Sequence, residues 1–484
     1  MKNKEDYQYI GHGHVWRHVQ DRARDTVIQV FAKISLFDWF EPYTAPQEGS
    51  QFGSGFFISE EGHLLTNYHV VDQATAVVIQ IPSLGREQFD VQIVGVHPDM
   101  DIALLQLSAP DLVRVRDYLG GVPYLELGDS DGVYRTQEIL ALGYPLGQQG
   151  LKSTQGIVSG REKIRMLSYL QMTAALNPGS SGGPSLDETG KVIGINFAGV
   201  MLAQNVGYVI PINEIKSAIR DLFHTSFLRR PMLGGIFSIS SKDMVEYLGN
   251  PGEGGFYIAK IFPNSLLERA SIIEGDMIYE INGYVLDRFG EVSVPWSEDK
   301  ISLFDLLNRF NINEEVCFVI YRGGVRMELK FSLKLSAPLP IRVKYSQYEK
   351  IDYEIIGGMV VMELALNHAQ LLSEQDASFM KYFSIENQRK ARLLITNILH
   401  DSQAQRTRAL SIGDLISQLN GKRINTLDDF RQTILESKDT GYITIKTDQK
   451  IFTVLSLTKV LAQESSLAAR YFYQVSDLVA QLEK

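Results

Sequence analysis

Apolar and polar residues alternate along much of this chain in short runs bounded by glycine, a pattern that predicts a mainly β protein. Gly53-Ser54-Gly55-Phe56-Phe57-Ile58-Ser59 reads as one strand and Gly62 as the turn after it. His63-Leu64-Leu65-Thr66-Asn67-Tyr68-His69-Val70-Val71 reads as a second strand carrying a histidine near its end. Ile102-Ala103-Leu104-Leu105-Gln106-Leu107 reads as a core strand directly preceded by Asp101. After residue 223 the pattern changes. Gly275-Asp276-Met277-Ile278-Tyr279-Glu280-Ile281-Asn282-Gly283 recurs as Gly413-Asp414-Leu415-Ile416-Ser417-Gln418-Leu419-Asn420-Gly421, a strand closed by an Asn-Gly hairpin turn. Upstream of each copy lies an apolar-Gly-Gly-apolar segment, Leu233-Gly234-Gly235-Ile236 and Ile356-Gly357-Gly358-Met359, and a helical stretch follows each, at 303–310 and 426–436. Two related α+β modules therefore follow a β-rich first half.

The second copy is irregular. A largely polar, helical insertion at 364–391 separates its first strand from Arg392-Leu393-Leu394-Ile395-Thr396-Asn397-Ile398. Residues 459–482 carry apolar positions at helical spacing, Leu467, Tyr471, Val475, Leu478 and Leu482, and predict a terminal helix against a neighbouring module. The resulting division is a segment 1–24, a first domain 25–226, modules 228–336 and 340–460, and a helix 461–484.

Composition changes this picture little. The 484 residues, 44% hydrophobic and 21% charged, suffice for about three cores. A net charge of −10 and short, interrupted basic runs argue against nucleic acid as a partner. The single cysteine, Cys317, lies in an apolar strand and reads as a buried thiol. His12, His14 and His18 lack acidic or cysteine companions and read as an exposed terminal segment; no metal or other cofactor is expected. The weakly polar run 193–212 is interrupted by Asn196, Gln204, Asn205 and Pro211 and does not read as a membrane span.

The candidate chemistry lies in Asn177-Pro178-Gly179-Ser180-Ser181-Gly182-Gly183-Pro184. Glycines around a serine permit a turn whose N–H groups converge on one cavity and whose nucleophile is open to substrate. The same string also describes a flexible turn, so the rest of the chain decides. With His69 as general base, Asp101 to orient it and Ser181 as nucleophile, the order is that of proteases built from two antiparallel six-stranded barrels with the site in the cleft between them.

These segments, joined by Leu142-Gly143-Tyr144-Pro145-Leu146-Gly147, Gly156-Ile157-Val158-Ser159-Gly160 and Gly207-Tyr208-Val209-Ile210-Pro211-Ile212, resemble in order the trypsin-like domain of the HtrA/Deg (Do-like) serine proteases. The repeated modules resemble PDZ domains, and the long insertions resemble the two-PDZ branch of plant organelle Deg proteases. The resemblance implies a trypsin-like double β-barrel followed by two PDZ-like domains. It implies an ATP-independent serine endopeptidase for unfolded or damaged proteins, with an oxyanion hole at Gly179, Ser180 and Ser181. It places substrate-contacting positions at Leu176, Asn196, Phe197, Ala198, Gly199 and Val206, with no acidic residue there, so small to medium aliphatic residues are the expected preference. In the first PDZ it assigns the capture of peptide C-termini to Leu233, Gly234, Gly235 and Ile236. The groove of the second is expected to be covered or to serve assembly. Phe37, Trp39 and Phe40 fall where the family clamps a homotrimer, the base of larger oligomers.

Two departures stand out: Ser180 replaces the family's asparagine, and Met172-Thr173 replaces a Thr-Asp pair. They leave open a chaperone or scaffold with an idle triad, and a sensor protease for dedicated C-termini is a third reading. No secretory signal is visible after Met1-Lys2-Asn3-Lys4-Glu5-Asp6, so the expected location is cytoplasmic, with an organelle lumen after processing or non-classical export as alternatives.

Overall fold

The computed structural model describes residues 12–148, 150–164, 167–197 and 206–484. It comprises two compact units, one of residues up to 34 with 50–337, the other of 35–49 with 338–484.

The first unit opens with a helix, His12–Ala23, whose Trp16, Val19 and Ala23 recur at helical spacing and enter the same core as the barrels. This helix is thus built into the domain rather than being an exposed tail, and His18 on it faces solvent. Two closed six-stranded barrels follow. The first takes its strands in the order Val27–Leu36, Gln47–Phe57, His63–Thr66, Ile102–Leu107, Phe89–His97 and Ala74–Gln80. The second runs Pro184–Leu186, Val192–Phe197, Gly207–Pro211, Leu167–Met172, Lys152–Ile164 and Glu138–Gly143. Closure leaves no free edge, and the inward positions fill both barrels with side chains. Helix Ile212–Leu222 presents Ile212, Ile215, Ile219 and Leu222 to the shared core at 3- and 4-residue spacing.

The first module is a sheet of Gly235–Ser238, Phe256–Ile261, Met277–Ile281, Glu315–Arg322 and Val325–Ser332, with Tyr284–Val285 paired to the third strand and helix Leu303–Leu307 alongside. It belongs to the same compact unit as the barrels. Arg309 explains part of that: its guanidinium grips Asp131 with two 2.8 Å bonds and Glu214 with bonds of 3.1 and 2.9 Å. A planar fork shared between a buried carboxylate and a half-buried one is among the stronger ionic contacts available to a side chain.

The second unit repeats this strand order as Met359–Glu363, Leu393–Ile398, Leu415–Leu419, Tyr442–Thr447 and Phe452–Ser456, with Lys422–Arg423 on the third strand and helix Leu427–Leu435. One strand is extra: Tyr353–Ile356 pairs antiparallel with Met359–Glu363 on its outer edge. The insertion forms Leu366–Ser373, a 3-10 stretch Ala377–Phe383 and Ile385–Gln388, and joins a cluster with Leu394 and Leu415. The C-terminal part consists of two helices, Leu457–Tyr471 and Asp477–Glu483, in place of the single one expected.

This unit also contains the excursion 35–49, which leaves the first barrel between two of its strands. Trp39 packs edge-on to His368 at 5.3 Å, with Phe37 edge-on to Trp39 at 5.0 Å. The buried His368 ring accepts the Ala365 N–H at Nδ1 and meets the Trp39 carbonyl at Nε2, both at 3.0 Å. A carbonyl can only accept, so the proton sits on Nε2 and the ring is neutral. Burial pushes its pKa down to about 3. Asn397 adds a 2.8 Å bond to Glu41. The aromatics expected to clamp a trimer are therefore half-buried against the second module of their own chain.

A pair of hydrogen bonds made at the same place inside each module sets the correspondence between their two sequences. Leu233 and Gly234 carbonyls accept from Leu267 and Phe262 N–H at 3.1 and 2.9 Å, as Gly357 and Gly358 carbonyls accept from Ala404 and Leu399 N–H at 3.0 and 2.8 Å. Gly234 thus corresponds to Gly358, with φ of 81° and 83°. The Gly-Gly pairs are offset by one residue from the alignment that their shared letters suggest.

Candidate active site

Asp101 follows the short helix Pro98–Met100 and takes the left-handed conformation, φ 56° and ψ 47°, which aspartate tolerates better than most residues. The buried Asn67 side chain donates to its carbonyl at 3.0 Å and fixes the turn. His69 lies in the first turn of Tyr68–Val71, where its backbone N–H has no helical partner. Asp101 supplies one: Oδ1 accepts that N–H at 2.8 Å, and Oδ2 meets ring Nδ1 at 2.8 Å. The two contacts place the proton on Nδ1 and leave Nε2 free to accept in the neutral ring. Burial opposes protonation of His69, but the Asp101 hydrogen bond and charge, with Asp72 behind them, outweigh it and hold the imidazolium pKa above its ordinary range.

Ser181 sits in a loop that admits only glycine at several places. Gly179 has φ +97°, and a Cβ there would lie 2.5 Å from the Tyr144 carbonyl. At Gly182, φ +86°, a Cβ would meet the Ser54 carbonyl at 2.1 Å, and at Gly183 the Leu142 carbonyl at 2.1 Å. The Ser181 carbonyl is held by the Ser54 N–H at 2.8 Å. The fully buried Ser54 hydroxyl donates to the Gly179 carbonyl at 2.7 Å and accepts from the Tyr144 N–H at 2.9 Å. One serine thus anchors the loop on both sides of Ser181. Sequence reasoning passed over Ser54 because it reads as a small strand residue between glycines; its position directly after Gly53 on the strand facing the loop is the only signal.

The oxyanion candidates narrow. The Ser180 N–H is used on the Asn177 carbonyl at 2.9 Å, so it does not point into a cavity. Asn196 is also corrected: it is fully buried, its amide bonds the Leu142 carbonyl at 2.9 Å and Ser185 at 2.7 Å, and its backbone bonds Gly182 and Gly183 at 3.0 and 2.8 Å. It braces the 179–183 loop, with its backbone and side chain both committed there. Phe197 walls the site, its ring 6.3 Å from that of His69 and stacked on Tyr169 at 5.2 Å. Leu176 approaches Gly207 beside Val206, a Gly207 Cβ lying 3.2 Å from its Cγ. Ala198 and Gly199 fall outside the described residues. In the first module, the Leu233 and Gly234 carbonyls are taken by the Leu267 and Phe262 N–H groups, while Gly235 and Ile236 belong to the strand Gly235–Ser238.

Comparison with known proteins agrees with this architecture. Residues 53–195 match the family described as trypsin-like peptidase domain, and 343–475 match a PDZ domain family. A probable periplasmic serine endoprotease, DegP-like, of Marinomonas sp. (strain MWYL1) is 30% identical over 403 residues, 81% of this chain and 76% of the relative. The periplasmic serine endoprotease DegP of Escherichia coli (strain K12) is 32% identical over 254 residues, 50% of this chain and 51% of its own. Among solved structures, an HtrA-type protease AlgW with tripeptide superposes with a TM-score of 0.52 at 24% identity, over 67% of this chain and 98% of that one, a likeness of fold. The names of these relatives overturn the cytoplasmic expectation and point to an exported, periplasmic location.

Proposed function

Since the chain belongs to the HtrA/Deg family of serine endoproteases, we propose that it cuts unfolded or damaged polypeptides without nucleotide, in the periplasmic setting of its relatives, through His69, Asp101 and Ser181. The observation that carries this reading is the two-point grip of Asp101 on His69, 2.8 Å to the ring and 2.8 Å to the backbone. In the mechanism it supports, Nε2 of His69 takes the Ser181 proton as Oγ attacks the scissile carbonyl. The imidazolium that forms is stabilised by Asp101, and the new oxyanion accepts from the N–H groups of Gly179 and Ser181. His69 then returns the proton to the leaving amine, and water repeats the cycle on the acyl-enzyme.

Leu176 and Val206, apolar residues at the positions the family resemblance assigns to the pocket, suit small to medium aliphatic residues before the cut. Substrate enters as an extended strand, so a folded client has to open first. The first PDZ recruits peptide C-termini through its Gly234 loop. Assembly is read as a homotrimer-based oligomer. The test is degradation of an unfolded model protein by the native chain, Ser181→Ala and His69→Ala across temperature. Cleavage by the native chain alone supports the triad. Equal inertness of all three, with fold and assembly intact, moves the reading to a chaperone or scaffold.

A further inference from the structure

The loop that carries Ser181 has large apolar side chains in the open beside it. Phe52, on the strand Gln47–Phe57, is 45% exposed, and Leu146, in the turn Pro145–Gly147, is 64% exposed. A Cβ on Gly147 would lie 3.3 Å from Cε2 of the Phe52 ring, and a Cβ on Gly179 would lie 3.2 Å from the same atom. The ring therefore rests on both glycines, against the residue after Leu146 and against the one whose N–H serves the oxyanion in the proposed mechanism. Leu146 is held through its backbone, its N–H donating to the Pro178 carbonyl at 2.6 Å. Its φ of 55° and ψ of 26° are left-handed values that a bulky residue adopts only at a cost. Scattered exposed apolar side chains are normal on any protein. These two adjoin each other and the nucleophile loop, and one is displayed by a strained backbone that returns no burial, a kind of strain that concentrates where ligands are gripped.

We infer that Phe52 and Leu146 form the binding surface for the half of the substrate that leaves, and that they select large apolar residues at the first two positions after the cut. The inference rests on the protease reading. In that mechanism the acyl half is assigned to Leu176 and Val206, next to the second-barrel strand Gly207–Pro211. The departing amine takes its proton from His69, so the leaving half lies toward the first barrel, and Phe52 stands on a strand of that barrel. An extended chain advances about 3.3 Å per residue, so a surface that begins at Gly179 meets the first residues beyond the scissile bond. Neither side chain has a polar atom, and a carboxylate set against them would give up water without a partner. A large aliphatic or aromatic residue would instead bury its own surface together with that of Phe52 and Leu146.

The test uses the full chain and three substrates that share one acyl half ending in valine. One is a methyl ester, which has no leaving residues; the others are internally quenched peptides continued by Phe-Phe or by Asp-Asp, with the bond cut fixed by mass spectrometry. The native chain should favour Phe-Phe over Asp-Asp by about tenfold or more in kcat/KM. Phe52→Ala should lower kcat/KM for the Phe-Phe peptide about tenfold more than for the ester. Leu146→Lys, at an exposed position, should bring the Asp-Asp peptide level with the Phe-Phe peptide. Equal cutting of both peptides by a native chain that hydrolyses the ester overturns this inference and leaves the protease reading intact. An equal loss on ester and Phe-Phe peptide in Phe52→Ala also overturns it, since the ring would then be a prop for Gly179. A native chain inert on all three overturns the protease reading and this inference with it. If circular dichroism shows that Phe52→Ala does not fold, the native preference and Leu146→Lys decide.

Discussion

Asp101 and Glu464 do the same thing by the same geometry, yet to different ends. Each carboxylate bridges a backbone N–H and a side-chain donor: His69 N–H and its ring at 2.8 and 2.8 Å, Gly357 N–H and the Tyr473 hydroxyl at 3.1 and 2.7 Å. The imidazole beside Asp101 is half exposed; burial lowers its pKa, the Asp101 hydrogen bond and charge raise it by more, and histidine is a side chain that can trade a proton. The phenol beside Glu464 is buried and its pKa is driven far upward, by burial first and then by Glu464 itself, so it only donates. A carboxylate on an amide is a proton-handling device where its second partner titrates, and a lock where it does not.

The sharpest way to break this comparison is Asp101→Asn. Loss of the tautomer and of imidazolium stabilisation should lower kcat by roughly 10³–10⁴-fold, read with an unfolded substrate. In the proposed mechanism the neutral ring is the base, so kcat/KM should rise with pH through the His69 pKa, and removing the partner that lifts it should move this limb to lower pH. Next comes Ser54→Ala, which frees the Gly179 carbonyl and the Tyr144 N–H. Misplacement of the loop should cost on the order of 10- to 100-fold in kcat while the melting temperature and peptide binding at the first PDZ change less.

Glu464→Ala should act oppositely. It strands a buried N–H and hydroxyl and should destabilise the second unit by about 2–3 kcal/mol, visible in denaturant unfolding, with the catalytic rate on a short peptide unchanged. Glu464→Gln, which keeps an acceptor, should recover much of this loss. A drop in turnover matching the loss of stability would mean that the two carboxylates are not different in kind.

The last effect is absent at neutral pH and appears only in acid. His368 has a folded pKa of about 3, well below its unfolded value, so the unfolded state binds more protons between the two. Its contribution is present above the unfolded pKa near 6.5 and is lost as pH falls toward 3, up to about 1.4 kcal/mol per pH unit. His368→Gln should flatten that slope in urea titrations between pH 4 and 6.5.

Much of the first unit was legible in the sequence. Alternation marked the strands, and the Gly-rich loop, His69 and Asp101 stand in motifs whose spacing reflects local turns. Contacts without a local signature were less accessible. Asn196 lies on a strand that lines the cleft, and only the bonds to Gly182 and Gly183 reveal that it faces the loop instead. The Gly-Gly segments match by letters at one register and by hydrogen bonds at another. Trp16, Val19 and Ala23 had helical spacing, but nearby histidines drew the reading toward an exposed tail. Residues 351–356 alternate weakly, and nothing in them names the strand they add to.

The excursion 35–49 has a consequence for the order of events during synthesis. Trp39 and His368 are 329 residues apart. At about 5–20 residues per second, the loop leaves the ribosome on the order of 15–65 s before its partner exists. The amino-terminal barrel therefore has time to close with an aromatic hook still unclaimed. A chain stopped anywhere before His368 would carry that hook permanently, and release of a finished molecule would be marked by its disappearance.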